Sequence, residues 1–208
     1  MVEGYGLSEG TCASTCNPVD GVRKAGTVGP ALPGQVVEVM APDGTILPPG
    51  ERGEVVIKGA TVMRGYLNRP EATAETLGDG WLHTGDVGII DEDGYLRIVD
   101  RIKDMIIRGG ENIYPKEIES VLHSHPGVLE AAVVGAPDPT YGEIVIAHVV
   151  AHPDAELSVA ELDAHCRERL TKVKVPAAIH LLESLPKNPV GKIDKPTLRR
   201  QSSTTSRS

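Results

Sequence analysis

Asp100-Arg101-Ile102-Lys103-Asp104-Met105-Ile106-Ile107-Arg108-Gly109-Gly110-Glu111-Asn112 is the stretch where the character of the chain changes. Clustered charge without Gly or Pro comes first, then an apolar run, then a Gly pair. The charged segment reads as a junction. Gly109-Gly110 supplies permissive backbone, suited to a hairpin turn or to close approach of a ligand. Upstream, short apolar runs at Gln35–Met40, Glu54–Lys58, Val87–Ile90 and Tyr95–Val99 alternate with Pro/Gly/Asp turns such as Pro42-Asp43-Gly44 and Asp91-Glu92-Asp93-Gly94, which predicts a β-rich unit. A single short helix is expected there over Pro70–Leu77, capped by Asn68. Downstream, helix and strand signals alternate. Pro115–His123 carries Ile118, Val121 and Leu122 at helical spacing. Val128–Gly135, Ile144–Val150 and Ala178–Leu182 are rich in β-branched residues and read as strands. Ser158–Leu170 opens with Ser158 and Glu161 at capping-box positions, followed by a Val159, Leu162, Cys166 stripe. The fold class is mixed α/β: a β-rich unit over 1–102, a small α+β domain over 103–198, and a Ser/Thr-rich tail over 199–208 expected to be disordered.

The bulk composition narrows the function. The chain has 208 residues, 40% apolar and 24% charged, with a net charge of −8. That acidity argues against a nucleic-acid backbone or an anionic membrane as principal partner, while local lysines and arginines can still hold phosphates. Phe is absent, so the core must come from Val, Ile, Leu and Ala. Three unpaired cysteines, Cys12, Cys16 and Cys166, make no disulfide framework and fit a reducing, cytoplasmic setting. Cys12 and Cys16 form C-x3-C, but no second Cys/His pair at ligand spacing follows, so no zinc site is expected. No apolar run approaches the roughly eighteen residues of a membrane span, and no leader is visible at the start.

Four short motifs carry chemistry. Gly4-Tyr5-Gly6-Leu7-Ser8-Glu9 offers an aromatic face, flexible backbone, a hydroxyl and a carboxylate. Such a set can stack a base, approach a phosphate and help hold Mg2+, and it can equally be a surface turn. Trp81-Leu82-His83-Thr84-Gly85-Asp86 places a carboxylate after a Thr-Gly turn. A fixed carboxylate is the usual partner of ribose hydroxyls, and an Asp can also simply cap a turn. His83 has no nucleophile near it in sequence and reads as structural. The junction itself brings Arg101 and Lys103. Pro186-Lys187-Asn188-Pro189-Val190-Gly191-Lys192-Ile193-Asp194-Lys195 is a Pro/Gly loop with three lysines. Lys192, following a Gly, can swing into a site as a point charge. The spacing is not that of a Walker A loop, because Pro186 stands where its first Gly is required.

In this order, from Tyr5 to Lys195, the motifs resemble the second half of the adenylate-forming enzyme superfamily. Gly109-Gly110-Glu111-Asn112-Ile113-Tyr114-Pro115-Lys116-Glu117-Ile118-Glu119 is the most specific piece and resembles the acyl-CoA synthetase branch. The resemblance implies an ATP-dependent acid–CoA ligase, with a fatty acid as the expected acid. A carboxylate attacks the α-phosphate of Mg-ATP, and the thiol of CoA then displaces AMP.

The same resemblance assigns roles. Tyr5 would stack on adenine, Gly6 and Ser8 would meet phosphate, Glu9 would help hold Mg2+, and Asp86 would accept both ribose hydroxyls. Arg101 would contact the nucleotide and Lys103 would be the hinge. Lys192 would bridge acid and α-phosphate, and Gly109 and Gly110 would line the pantetheine approach. It further implies that the phosphate loop ending in Pro-Lys-Gly and the acid-binding half lie outside this chain. The chain alone is therefore expected to lack activity and to need an N-terminal half, and residues 1–100 are expected to expose an apolar patch. A non-catalytic remnant and a protein-interaction module are the alternatives.

Overall fold

The computed structural model describes residues 2–205, with side chains through Ser203. The chain forms two compact units, Met1–Lys103 and Asp104–Ser208.

The first unit is built on a four-stranded antiparallel sheet in the order β3-β4-β5-β6, made of β3 (Gln35–Met40), β4 (Arg52–Gly59), β5 (Leu82–Ile90) and β6 (Leu96–Arg101). Two short strands, β1 (Gly4–Tyr5) and β2 (Thr15–Cys16), pair beside it. Val37, Val55, Ile57, Leu82 and Leu96 form its core. Its only α-helix among the described residues is α1, Pro70–Thr76. Asn68 does not cap it: the N-cap is Arg69, without a side-chain bond, and Asn68 instead takes a positive φ of 54° in the preceding turn, a conformation Asn tolerates better than most residues. Val19, Val22, Val36 and Leu67 are exposed on this unit.

The second unit centres on β10 (Gly142–Ala151). It runs antiparallel to β9 (Val128–Asp138) along its length and parallel to β11 (Ala178–Leu181). At its first residue it meets β7 (Ile106–Arg108), which forms a hairpin with β8 (Glu111–Ile113). Both faces of the β9–β10 ribbon are covered. Ala131, Val133, Val145, Ala147 and Val149 face a core shared with α2 (Pro115–His123) and α3 (Val159–Arg169), through Ile118, Leu122, Leu162 and Cys166. Ala132, Val134, Ile146 and Val150 face the opposite core, closed by Leu185 and Leu198. A strand buried on both sides has no polar face to alternate with, hence the unbroken apolar runs in the sequence.

α3 starts with the anticipated capping box, Ser158 and Glu161 each bonding the other's backbone. Its stripe is shorter than expected, since Leu162 and Cys166 are fully buried while Val159 is 44% exposed. The expected disordered tail is helical instead: α4 spans Lys195–Thr205. Leu198 is fully buried, and buried Ser202 bonds His148 of β10 at 3.0 Å. This packing outweighs the poor helix propensity of a Ser/Thr-rich segment. Residues 206–208 of that expectation lie outside the described residues.

Candidate functional site

The site begins with an irregularity in β5. Pairing with β4 slips between Glu54 and Val56, opposite Thr84-Gly85, so the expected Thr-Gly turn is a bulge within a continuous strand. Gly85 supplies the positive φ of 70° that the bulge needs. Three polar contacts hold it. Thr84 Oγ1 donates to Val55 O at 2.7 Å and accepts from the Asp86 amide at 3.1 Å, and Glu54 Oε1 accepts from the Gly85 amide at 3.0 Å. Glu54 Oε2 also takes His83 Nδ1 at 2.9 Å, which gives His83 the structural place expected of it.

The bulge aims Asp86 at its cross-strand partner Arg101. Arg101 Nε lies 3.2 Å from Asp86 Oδ1, and the Tyr5 hydroxyl donates to Asp86 Oδ2 at 2.6 Å. Burial, followed by this bond to the carboxylate, pushes the Tyr5 phenol far above its ordinary value, so it remains a donor. Each carboxylate oxygen of Asp86 still has a second lone pair to offer. Asp86 is thus anchored from two sides and can accept from two further hydroxyls.

Asp86 and Arg101 line a cavity of about 660 Å3 together with Glu9, Glu54, Tyr66 and Lys103, among others. Glu9 stands in a 3-10 turn, Ser8–Gly10, and its Oε1 accepts from the Tyr66 hydroxyl at 2.8 Å. Its Oε2 has no partner among the described residues. No cluster of three or more potential metal-ligating side chains occurs among the described residues. Glu9 nevertheless suits Mg2+ carried by a nucleotide, because that ion takes one or two protein carboxylates and fills its other positions with phosphate and water.

Tyr5 reaches the cavity through Asp86, while Gly6 and Ser8 do not line it. Gly6 has a packing reason to be glycine, since a Cβ there would sit 1.8 Å from Cys12 O. Glu54 and Tyr66 escaped the sequence reading. Glu54 belongs to an ordinary-looking strand, and only the β4–β5 register reveals what it holds.

In the second unit, Gly109 and Gly110 form the two-residue turn of the β7–β8 hairpin, with φ of 59° and 86°. That double left-handed geometry is the one such turns favour. The Gly109 amide donates to Tyr141 O at 2.8 Å, and the Arg108 guanidinium lies over the Tyr141 ring, 5.2 Å from its centroid. Lys192 stands on a second hairpin, closed by the Lys187–Ile193 bridge. Asn188 Oδ1 accepts from the amides of Val190 and Lys192, and Gly191 turns at φ 79°. Lys187 pairs with Glu130 and Lys195 with Glu119. Lys192 is exposed and makes no ion pair among the described residues.

Residues 1–67 match the family model described as AMP-binding enzyme, and residues 117–192 match the AMP-binding enzyme C-terminal domain. Among curated proteins, the chain is 48% identical over 206 residues to a long-chain-fatty-acid–CoA ligase of Mycobacterium tuberculosis, covering 99% of this chain and 41% of that protein. It is 46% identical over 204 residues to a feruloyl-CoA synthase of Amycolatopsis sp, covering 97% of this chain and 41% of that protein. Among solved structures, ATP-bound MatB from Rhodopseudomonas palustris superposes with a TM-score of 0.91 at 43% identity, covering 97% of this chain and 40% of that one. The o-succinylbenzoate–CoA synthetase of Bacillus subtilis, in complex with ATP and magnesium ion, superposes with a TM-score of 0.84 at 40% identity, covering 97% and 41%. The chain therefore spans about two fifths of the length of the relatives it matches. No helix among the described residues is long and apolar enough to cross a membrane.

Proposed function

The chain belongs to the AMP-binding enzyme family, and from that premise we propose that it is the nucleotide-gripping and lysine-presenting part of an ATP-dependent acid–CoA ligase. The observation that carries the proposal is Asp86, held between the Tyr5 hydroxyl and Arg101 on the wall of the cavity that Glu9 also lines. A doubly anchored carboxylate is an acceptor pair for a vicinal diol, and the ribose of ATP is that diol.

The proposed reaction has two steps. An oxygen of the acid's carboxylate attacks the α-phosphorus and pyrophosphate leaves. The thiol of CoA then attacks the acyl carbonyl, AMP leaves, and the thiol proton is released. Asp86 accepts the ribose hydroxyls, Arg101 lies against the nucleotide, and the Tyr5 ring stacks on the adenine. Ser8 does not line the cavity, and its proposed contact with phosphate rests on the family resemblance alone. Glu9 would help hold the Mg2+ carried by the nucleotide, which would supply charge neutralisation at the phosphates. Lys192 bridges the acid and the α-phosphate in the first step. Lys103 is the pivot, and the Gly109-Gly110 turn lies along the pantetheine approach in the second. Positioning and charge neutralisation supply the catalysis, and the chain forms no covalent intermediate with the acyl group. The curated relatives are named for fatty-acid and feruloyl substrates at nearly equal identity, so the residues of this part serve the reaction shared by both. A fatty acid is the acid proposed for this chain.

The test is ribose discrimination by the isolated chain. Hydrogen bonds to a charged acceptor are worth about 1.5–3 kcal/mol, so ATP should bind at least about tenfold more tightly than 2′,3′-dideoxy-ATP in calorimetric titration. Asp86→Ala should erase the difference. Equal affinity of the unmodified chain for the two nucleotides would sink the proposal. The bulge makes a related prediction. Glu54→Ala removes the acceptor of the Gly85 amide and should weaken ATP about tenfold while leaving dideoxy-ATP little affected. Parallel losses for both nucleotides would show that Glu54 does not act through Asp86.

A further inference from the structure

We infer that Asp104 and Arg199 form a positioning pair that ends the pivot at Lys103 and sets where Lys192 is presented. The inference rests on the proposed role of Lys192 in adenylation and assigns a task to two residues outside that role.

Asp104 is the first residue of the second unit, directly after Lys103. Its Oδ1 accepts from Arg199 Nη2 at 2.9 Å, with the two side chains 15% and 30% exposed. Arg199 lies in α4, which begins three residues after Lys192. One face of α4 carries a row of anchoring contacts. Lys195 Nζ lies 2.8 Å from Glu119 Oε1, both side chains 17% exposed. Glu119 Oε1 also accepts from the Val133 amide of β9. Leu198 is fully buried and Ser202 is buried against His148. Positions 195, 198, 199 and 202 follow the i, i+3, i+4, i+7 spacing of a single helical stripe. The helix is fastened to α2, to β9 and β10, and to the residue that follows the pivot.

The Lys192 hairpin is joined to the start of this helix. Asp194 donates its amide to Pro186 O, which closes the hairpin, and its carboxylate accepts from the Thr197 amide and hydroxyl in the first turn of α4. Beyond that, the hairpin's ion pair to the sheet is Lys187–Glu130, whose lysine is 45% exposed. An exposed pair contributes little, whereas a shielded guanidinium–carboxylate pair holds its geometry. Backbone position at Lys192 is thus set chiefly through α4, and α4 is tied to Asp104 by Arg199. Without that tie, Asp104 and Met105, the residues between Lys103 and the buried Ile106 of β7, are connected to the helix only through the core, and Lys192 loses its direct link to the pivot. Misplacing a charge by about 1 Å costs up to about a hundredfold in rate.

The experiment joins this chain to the remaining N-terminal part of the Mycobacterium ligase relative and measures each half-reaction separately. Carboxylate-dependent ATP–pyrophosphate exchange reads adenylation. Thioester formation from supplied acyl-adenylate reads the second step. Arg199→Ala should lower kcat for exchange by about tenfold or more, with KM for ATP and the thioester rate unchanged. Arg199→Lys should retain part of the exchange rate, and the swap Asp104→Arg with Arg199→Asp should recover part of what Arg199→Ala loses. If Lys192→Ala abolishes exchange while Arg199→Ala leaves it intact, the positioning inference is overturned. The same holds if Arg199→Ala lowers both half-reactions equally, because a general loss of structure would do that. If Lys192→Ala has no effect on exchange, the proposed function falls, and this inference with it.

Discussion

Replacing Lys192 by alanine is expected to lower carboxylate-dependent ATP–pyrophosphate exchange by about 100- to 1000-fold, the usual cost of removing one preorganised charge from a reaction centre. In the proposed reaction the partners are a carboxylate and a polyphosphate, so their approach is opposed by like charge until a cation sits between them. The environment around Lys192 suits it to the proposed role of that cation. Its backbone is held by the Asn188 side chain and the Gly191 turn. Among the described residues its ammonium makes no ion pair with an acidic neighbour, unlike those of Lys187 and Lys195 on either side. Lys192→Arg should rescue poorly, because a planar guanidinium cannot replace a compact point charge on the same stem. KM for ATP should change little, since the proposed ribose grip is at Asp86. Exchange that persists in Lys192→Ala would remove Lys192 from the mechanism, and a matched loss in Lys187→Ala would show that total positive charge of the loop matters rather than one placed ammonium.

Lys192 is singled out in the sequence by the Gly before it and by the family resemblance, and the structure adds why its two neighbours are unsuited. Spacing placed all three on one loop, but the acids that occupy Lys187 and Lys195 lie 57 and 76 residues earlier in the chain, at Glu130 and Glu119. Pairings of that separation leave no local trace. Elements with a local cause were readable. Strand β3 follows its apolar run, α2 begins at Pro115, and α3 begins at its capping box. Elements with a remote cause were not. α4 has the composition of a disordered tail and is helical because Leu198, Arg199 and Ser202 each find a distant partner. The Thr84-Gly85 kink looked like a turn because a bulge and a turn use the same residues, and only pairing with β4 separates them. Glu54 and Tyr66 were missed for the same reason: each acts on a site residue brought to it by the fold, Gly85 in one case and Glu9 in the other.

The second unit should lose stability in mild acid, and the loss should trace to one side chain. His148 is 4% exposed on β10, in register with His180 of β11, and their rings stack with centroids 5.3 Å apart. Ser202 Oγ gives its proton to Leu198 O, so His148 Nε2 is the donor to Ser202 and Nδ1 is buried with no hydrogen-bond partner among the described residues. A second proton at Nδ1 would therefore be placed where nothing solvates it. Burial above all, and then His180, push the His148 pKa down from 6.5 to about 4. The sign follows from linkage. Above pH 6.5 neither folded nor unfolded chain protonates this ring, and it makes no difference to stability. As the pH falls from 6.5 to about 4, the unfolded chain takes up a proton that the folded chain refuses, and folding weakens by roughly 3 kcal/mol, at 1.36 kcal/mol per pH unit. Protection against acid should then appear in His148→Leu, measured as a smaller drop in unfolding free energy between pH 7 and pH 4.5 than in the unmodified chain. The two units can be followed separately. The single tryptophan, Trp81, belongs to the first unit, whereas α2, α3 and α4 all belong to the second. Helical circular dichroism should report the acid-sensitive transition and tryptophan fluorescence should not. Equal acid sensitivity of the helical signal with and without His148 would assign the effect to other groups.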